Sequence, residues 1–362
     1  MTRLTAIRST AVALPLERRI VSSVRRTDTV INLIVELETN DGATGVSYIA
    51  GFSPHKLAAT AALIDELGEV LIGSDATAIG SAWDRIRSAL TLAGHAGISA
   101  FALSAIDIAM WDLQGKLLGA PVHRLLGSRR ETLTAYASDG CWLEEDPKTV
   151  AREAAQFAAS GFRTVKVRLG RSERERDFAV LDAVRQEVGD DLELILDVNQ
   201  GWSREEARAY GRRLEPYRVR WLEEPLLASD IDGLVMLRRE LAVPLAAGEN
   251  LYLPDGIRAL VTAQAVSVIN PDLQRIGGIT GWIRASAIAE AWSVPVAAHL
   301  FPEISVHVMA AAELIGPLEW VSWMTPLLEQ PLRIEKGTVK VPTGPGLGMT
   351  FNKDAVRAHR LD

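Results

Sequence analysis

Three acidic residues, Asp197, Glu223 and Glu249, each close an apolar run: LELILD, VRWLE and PLAAGE. Both intervals are 26 residues (223 minus 197, 249 minus 223), which is one strand, a loop, a helix and the return to the next parallel strand. Acids at one phase of such a repeat cluster where the strands end, and in a closed parallel barrel that end carries the active site. Three hard oxygen ligands around one point suit Mg2+, which favours carboxylates and keeps positions open for substrate. Taken singly, each acid reads as a solvated loop or cap residue, the usual state of Asp and Glu. Three in phase are harder to read that way.

Lys166 and Arg168 stand two apart in TVKVRLG, so on a strand they point the same way. Beside three carboxylates they either orient an anionic substrate or pair with the acids; each cation also raises the cost of protonating the other, which brings Lys166 nearer a useful basicity. Asp272 in INPDLQRIGG, His299 in VAAHLFPE and Glu319 in GPLEWVSW follow at intervals of 23 (272 minus 249), 27 (299 minus 272) and 20 (319 minus 299). An Asp accepting a hydrogen bond from one imidazole nitrogen sets the tautomer and leaves the other nitrogen for acid or base work. Asn199 and Gln200, just past Asp197, bind a ligand anion or cap the following helix. The glycines of RIGGITG lack the Walker lysine and the dinucleotide spacing, and read as close strand-to-helix packing. His307 and the single cysteine, Cys141, read as structural.

Elements that would position these residues are legible in order. Residues 2–50 alternate as strands, with Asp41-Gly42 as a hairpin turn. Residues 56–118 take helical spacing, giving an α+β domain over 1–128 that ends at breaks around Gly119-Ala120-Pro121 and Gly127-Ser128. Eight short apolar runs follow, starting near Leu133, Arg163, Leu192, Val219, Pro244, Ala265, Val294 and Leu318, with amphipathic stretches between them. That pattern is what a β/α barrel over 129–328 requires; an open doubly wound sheet fits the alternation too, but explains less well why distant strands share one site. From Gln330 the period returns to 2 in PLRIEKGTVKVP, and this last hairpin, in a segment spanning 329–362, is expected to return to the N-terminal sheet.

With 362 residues, 48% hydrophobic and 23% charged, the chain has the composition of a protein with a sizeable core. A net charge of -7 with dispersed basic residues argues against nucleic acid or an anionic membrane as partner, and favours a small molecule. No run reaches the roughly 18 to 20 apolar residues of a membrane span, and a cytoplasmic location is the expectation.

Taken together, KxR, LDVNQ, WLEEP, GEN, PDLQRIGGITGW, AHLFPEISVH and the final LEW resemble the enolase superfamily, in the mandelate racemase branch of the mandelate racemase and muconate lactonising group. The resemblance runs from end to end. It implies a modified (β/α)7β barrel closed by loops of the N-terminal cap, Mg2+ on Asp197, Glu223 and Glu249, a His299–Asp272 dyad, and Glu319 hydrogen bonded to a substrate carboxylate oxygen. It also implies a homo-oligomer, from dimer to octamer. The shared chemistry is removal of the proton α to a carboxylate, giving an enediolate that preorganised charge must stabilise.

One departure discriminates among activities. Relatives that racemise mandelate have a second lysine where this chain has Arg168, and arginine is a poor base. A racemase needs a competent group on each face of the α-carbon; a dehydratase manages with His299 alone, Lys166 remaining a candidate base. The cap loop of residues 15–30 carries Arg18, Arg19, Arg25 and Arg26, which suits a hydroxylated or doubly acidic substrate. Phe52 and His55 fall on the neighbouring cap loop, and Ser138 near the end of the first barrel strand is placed to touch substrate. The expectation is a Mg2+-dependent dehydratase of an acid sugar or similar 2,3-dihydroxy acid, forming a 2-oxo-3-deoxy acid. A 2-hydroxy-acid racemase is the alternative, and a catalytically silent metal-binding barrel the third reading.

Overall fold

The structure, a computed structural model, describes residues 2–51 and 53–361. Three antiparallel strands open the chain, β1 (Leu4–Val21), β2 (Arg26–Thr39) and β3 (Thr44–Gly51), in that order across the sheet. The β2–β3 turn passes through Gly42 at φ 82°, a conformation that glycine takes without strain. Helices α1 (Pro54–Leu71), α2 (Ile79–Ala89) and α3 (Ile98–Leu117) pack on one face of this sheet, and the short α4 (Val122–Leu125) leads out. α3 is apolar around most of its circumference because it is covered on most sides; it lies so close to β3 that a Cβ on Gly45 would meet the Ala109 carbonyl at 2.2 Å.

Then the alternation begins: β4 (Thr132–Ala137), α5 (Pro147–Ala159), β5 (Thr164–Arg168), α6 (Arg174–Val188), β6 (Glu193–Asp197), α7 (Arg204–Arg213), β7 (Val219–Glu223), α8 (Ile231–Glu240), β8 (Leu245–Ala247), α9 (Leu253–Thr262), β9 (Val268–Ile269), α10 (Leu273–Ile276), α11 (Gly278–Ala291), α12 (Pro302–Ala311) and β10 (Leu318–Trp320). β4 to β9 pair in sequence, all parallel. The seventh expected strand, VPVAAHL, joins through single bridges of Val296 to Ile269 and of His299 to Asp272 rather than a continuous ladder; Pro295 has no N–H to give one. β10 returns to pair in parallel with β4, which closes the ring and rules out the open sheet.

Register sets the chemistry's layers. Tyr136, Ile195, Trp221, Ala246 and Ala297 fill the barrel's interior as one cluster. Because side chains alternate with period 2, the residue two positions on from an interior residue again points inward, one layer nearer the mouth. That residue is Ser138 after Tyr136, Asp197 after Ile195, Glu223 after Trp221 and His299 after Ala297. Arg168, Asp197 and Glu223 are direct cross-strand neighbours.

The C-terminal hairpin departs from expectation. Its strands β11 (Ile334–Glu335) and β12 (Thr338–Lys340) do not rejoin the cap sheet; β12 pairs antiparallel with residues 132–134 of β4. The physical reason is an open edge: β10 is three residues long and reaches only Ala135 to Ala137, leaving the start of β4 unpaired. After α13 (Lys353–Ala358), residues 359–361 do reach the cap, with Leu361 N–H donating to the Ala11 carbonyl (2.9 Å) on β1. Among the described residues, no helix is long and apolar enough to cross a membrane.

Candidate active site

Several loops that leave the strands turn at once on residues other than glycine. Asn199 and Gln200 after β6, Glu224 after β7, and Leu300 and Phe301 before α12 all have φ between 40° and 63°. Each such residue costs on the order of 1 kcal/mol or more, and such strain concentrates at functional sites. These turns line a cavity of about 320 Å3 at the C-terminal mouth of the barrel, roofed by the β1–β2 hairpin of the cap.

Its floor is a buried ion cluster. Lys166, 1% exposed, donates from Nζ to Glu223 Oε1 (2.7 Å) and Glu319 Oε1 (3.0 Å), and lies 3.6 Å from Asp197 Oδ2. Burial pulls its ammonium down, but Glu223 and Glu319 outweigh that and hold it well above its ordinary value. Three carboxylates thus fix the position of the Lys166 ammonium at the floor of the cavity. Glu319 also accepts from Ser138 Oγ (2.6 Å) and the Leu300 N–H (2.8 Å). Burial alone would raise its carboxyl, but Lys166 and His299, then Ser138 and Leu300, keep it well below the usual carboxylate range. Arg168 is clamped: Nη1 donates to the carbonyls of Ser138 (2.7 Å) and Gly140 (3.2 Å), Nη2 to Ser138 Oγ (2.9 Å), and its guanidinium lies 4.1 Å from the centre of the Trp142 ring.

Across the cavity, His299 Nδ1 is 2.6 Å from Asp272 Oδ2. Asp272 is satisfied on every side, by the N–H groups of Gln274 (2.8 Å) and Arg275 (3.0 Å) on Oδ1 and by Arg275 Nη1 (3.0 Å) on Oδ2. It holds the ring through Nδ1, which leaves Nε2 as the nitrogen available for acid or base work. That nitrogen is 3.5 Å from Glu249 Oε1. Burial draws the imidazole down, yet Glu249 first and Asp272 next push it up to about 9.

Asp197 is oriented by Asn199, whose N–H and Nδ2 donate to its two oxygens at 2.9 and 3.1 Å. The expected cation site is thus present in part. Asp197 and Glu249 line the cavity, whereas Glu223 is held below by Lys166 and by Trp221 Nε1 (2.9 Å). Among the described residues no three acid, histidine or cysteine side chains are drawn tightly enough together to form a closed metal cage. The donor chemistry nonetheless fits Mg2+: hard carboxylates converge, and Glu249 Oε2 and Glu224 Oε1 are buried without a hydrogen-bond partner among the described residues.

Of the four cap arginines, Arg25 lines the cavity. Arg18 pairs with Glu153 and Arg26 with Glu144, both in the segment after β4, and Arg19 is exposed. His55 is exposed on the first turn of α1, and Phe52 lies outside the described residues. Spacing did not bring out Glu224, Asn250, Gln274 and Arg275, which also line the cavity; the signal was there in the doubled acid of WLEEP and the Asn of GEN.

Models of two families cover most of the chain: "Mandelate racemase / muconate lactonizing enzyme, N-terminal domain" matches residues 5–127 and "Enolase C-terminal domain-like" matches residues 149–355. The L-talarate/galactarate dehydratase of Salmonella typhimurium is 32% identical over 332 residues, 91% of this chain and 82% of that one. Among solved structures, an enolase from alpha proteobacterium BAL199 with bound Mg superposes with a TM-score of 0.96 at 33% identity, covering 100% of both chains. An enolase from Bradyrhizobium complexed with magnesium and mandelic acid gives 0.93 at 31%, covering 100% of this chain and 99% of that one.

Proposed function

Because the chain belongs to the mandelate racemase and muconate lactonizing enzyme group of the enolase superfamily, we propose that it is a Mg2+-dependent dehydratase converting a 2,3-dihydroxy acid of the acid-sugar class to its 2-oxo-3-deoxy acid. The observation that carries this reading is the single base. His299 presents a ring oriented by Asp272 to the cavity, and Arg168, in the place of a second base, is a poor base by type and is clamped through its guanidinium.

Asp197, Glu223 and Glu249, with Asn199 steadying the first, are the residues to hold Mg2+, which when bound draws off negative charge from the substrate carboxylate. Lys166 supplies a second fixed positive charge to the same end, kept in place by Glu223 and Glu319. His299 Nε2 takes the α-proton, and the electron pair of the broken C–H bond passes into the enediolate. The imidazolium then returns that proton to the β-hydroxyl as the C–O bond breaks; water leaves, and the enol becomes the 2-oxo acid. Asp272 carries the imidazolium's charge meanwhile. Ser138 joins Arg168 to Glu319 in one continuous donor and acceptor chain. An assembly of two to eight copies goes with this reading, and light scattering measures it.

A specific observation favours a second reading. The outer wall of the cavity is apolar, with Ile20, Val30, Trp142, Phe301, Val321 and Met324, and a structure of this fold holds mandelic acid. A 2-hydroxy-acid racemase would use such a wall. Mono- and diacid sugars and both mandelate enantiomers, incubated in D2O with Mg2+, separate the two. Formation of 2-oxo acid from a sugar supports the dehydratase; deuterium in unconsumed hydroxy acid of both hands, with no oxo acid, overturns it in favour of the racemase.

A further inference from the structure

Glu224 has none of the features of an ordinary loop acid. It is 1% exposed, and its φ of 40° is one that a non-glycine residue adopts only when its surroundings enforce it. They do: its N–H donates to the Ala246 carbonyl (3.0 Å), and its carbonyl accepts from the Gln200 N–H (2.8 Å). The turn sets two consecutive acids to different tasks. Both oxygens of Glu223 are taken, Oε1 by Lys166 and Oε2 by Trp221. Glu224 instead lines the cavity beside Asp197 and Glu249.

There one of its oxygens is engaged and the other is not. Asn250 Nδ2 donates to Glu224 Oε2 (2.7 Å) and reaches Glu249 Oε1 at 3.3 Å, yoking the two acids through one neutral amide. Among the described residues, Glu224 Oε1 and Glu249 Oε2 are left buried with no hydrogen-bond partner. Arg275, charged and close enough to feel both acids, bonds Asp272. A buried carboxylate oxygen without a partner is costly and uncommon, and two of them on acids tied to one amide have a shared cause.

We propose that Glu224 is a fourth carboxylate of the cation site, supplying charge and its unpartnered Oε1 to the ion that Asp197, Glu223 and Glu249 attract, with Asn250 fixing it to Glu249. This rests on the reading of the cavity as a Mg2+ site. The electrostatic logic is direct: four buried acids, one of them paired with Lys166, are less costly to hold together around a divalent ion than without one.

The test is Mn2+ binding to protein stripped with EDTA, followed by calorimetry and by the electron paramagnetic resonance of bound Mn2+. Glu224→Gln and Asn250→Ala are compared with the wild-type chain, with thermal unfolding of each metal-free protein as the check on folding. The expected result is a 10- to 100-fold weaker Mn2+ affinity for Glu224→Gln, the range for residues that support a metal's ligands. A changed resonance line shape and a metal-free melting temperature no lower than wild type accompany it. Folded Glu224→Gln binding Mn2+ within twofold of wild type, with an unchanged line shape, overturns the proposal. Should that variant fail to fold, Asn250→Ala decides on the same criterion. Wild-type protein that binds no Mn2+ overturns the Mg2+ reading itself, and this inference with it.

Discussion

At the scale of single residues, His299 and Arg168 differ in how much freedom their partners leave them. His299 is held at Nδ1 and open at Nε2, so replacing Asp272 by Asn releases the tautomer without emptying the space. Dehydration should fall about 100- to 10,000-fold, as for loss of a general base, while Mn2+ affinity, read by calorimetry, stays within a few-fold. Arg168→Lys keeps the charge and removes the planar fork that grips Ser138 and Gly140. If proton inventory is what bars two-base chemistry, the variant should dehydrate about 10-fold more slowly, by the usual weight of one charge-assisted contact. It should also begin to place deuterium at the α-carbon of unconsumed substrate; unchanged exchange would show that geometry, not basicity, sets the outcome. The types and phase of Asp197, Glu223, Glu249, Asp272 and His299 were legible because each closes one βα unit. Glu224 was not, since a spacing says nothing about the left-handed turn that separates it from its twin. Nor was the Arg168 clamp, whose acceptors come from a loop 28 and 30 residues away.

Among elements, α12 shows how a helix apolar all round is tied to its neighbours. His307 on α12 is fully buried; its Nδ1 accepts from the His123 N–H of α4 (3.3 Å), and its Nε2 lies 3.0 Å from the Leu347 carbonyl, to which it donates. Two backbone partners thus set one neutral tautomer, and burial pushes the imidazole down to about 3. An unfolded histidine titrates near 6.5, so between the two values the unfolded chain binds more protons. The stability that His307 contributes is complete above about 6.5 and is lost as pH falls toward 3. Urea unfolding at pH 7, 6 and 5 should show a decline for the wild-type chain that is shallower in His307→Gln by up to about 1.4 kcal/mol per pH unit. Equal slopes would mean that His307 is not the group responsible. The sequence pointed to His307 as structural, and so it is. The hairpin of β11 and β12 was equally visible as a period-2 pattern, but not its partner: that was decided by the shortness of β10, a property of the closed ring and not of the hairpin.

For the whole molecule, the join between cap and barrel passes through Asp112 of α3. This fully buried carboxylate accepts from the Val46 N–H on β3 (2.8 Å) and the Leu347 N–H of the C-terminal segment (2.7 Å), and pairs with Lys116 (2.6 Å). Asp112→Ala leaves two buried N–H groups unpaired and should lower the free energy of unfolding by about 3 to 5 kcal/mol, as for breaking a buried charged network. Chemical denaturation measures it, and a loss under 1 kcal/mol would mean that water or relaxation takes over the bonds. The segment that Leu347 belongs to has by then paired with β4 of the barrel, and thirteen residues on (360 minus 347) it pairs with β1 of the cap. The two halves are consequently not interchangeable modules. Recombination that joined this cap to a foreign barrel at the break near residue 128 would bring in a tail shaped for another α3 and another β1, so a new roof comes to this barrel intact only with a tail that matches it.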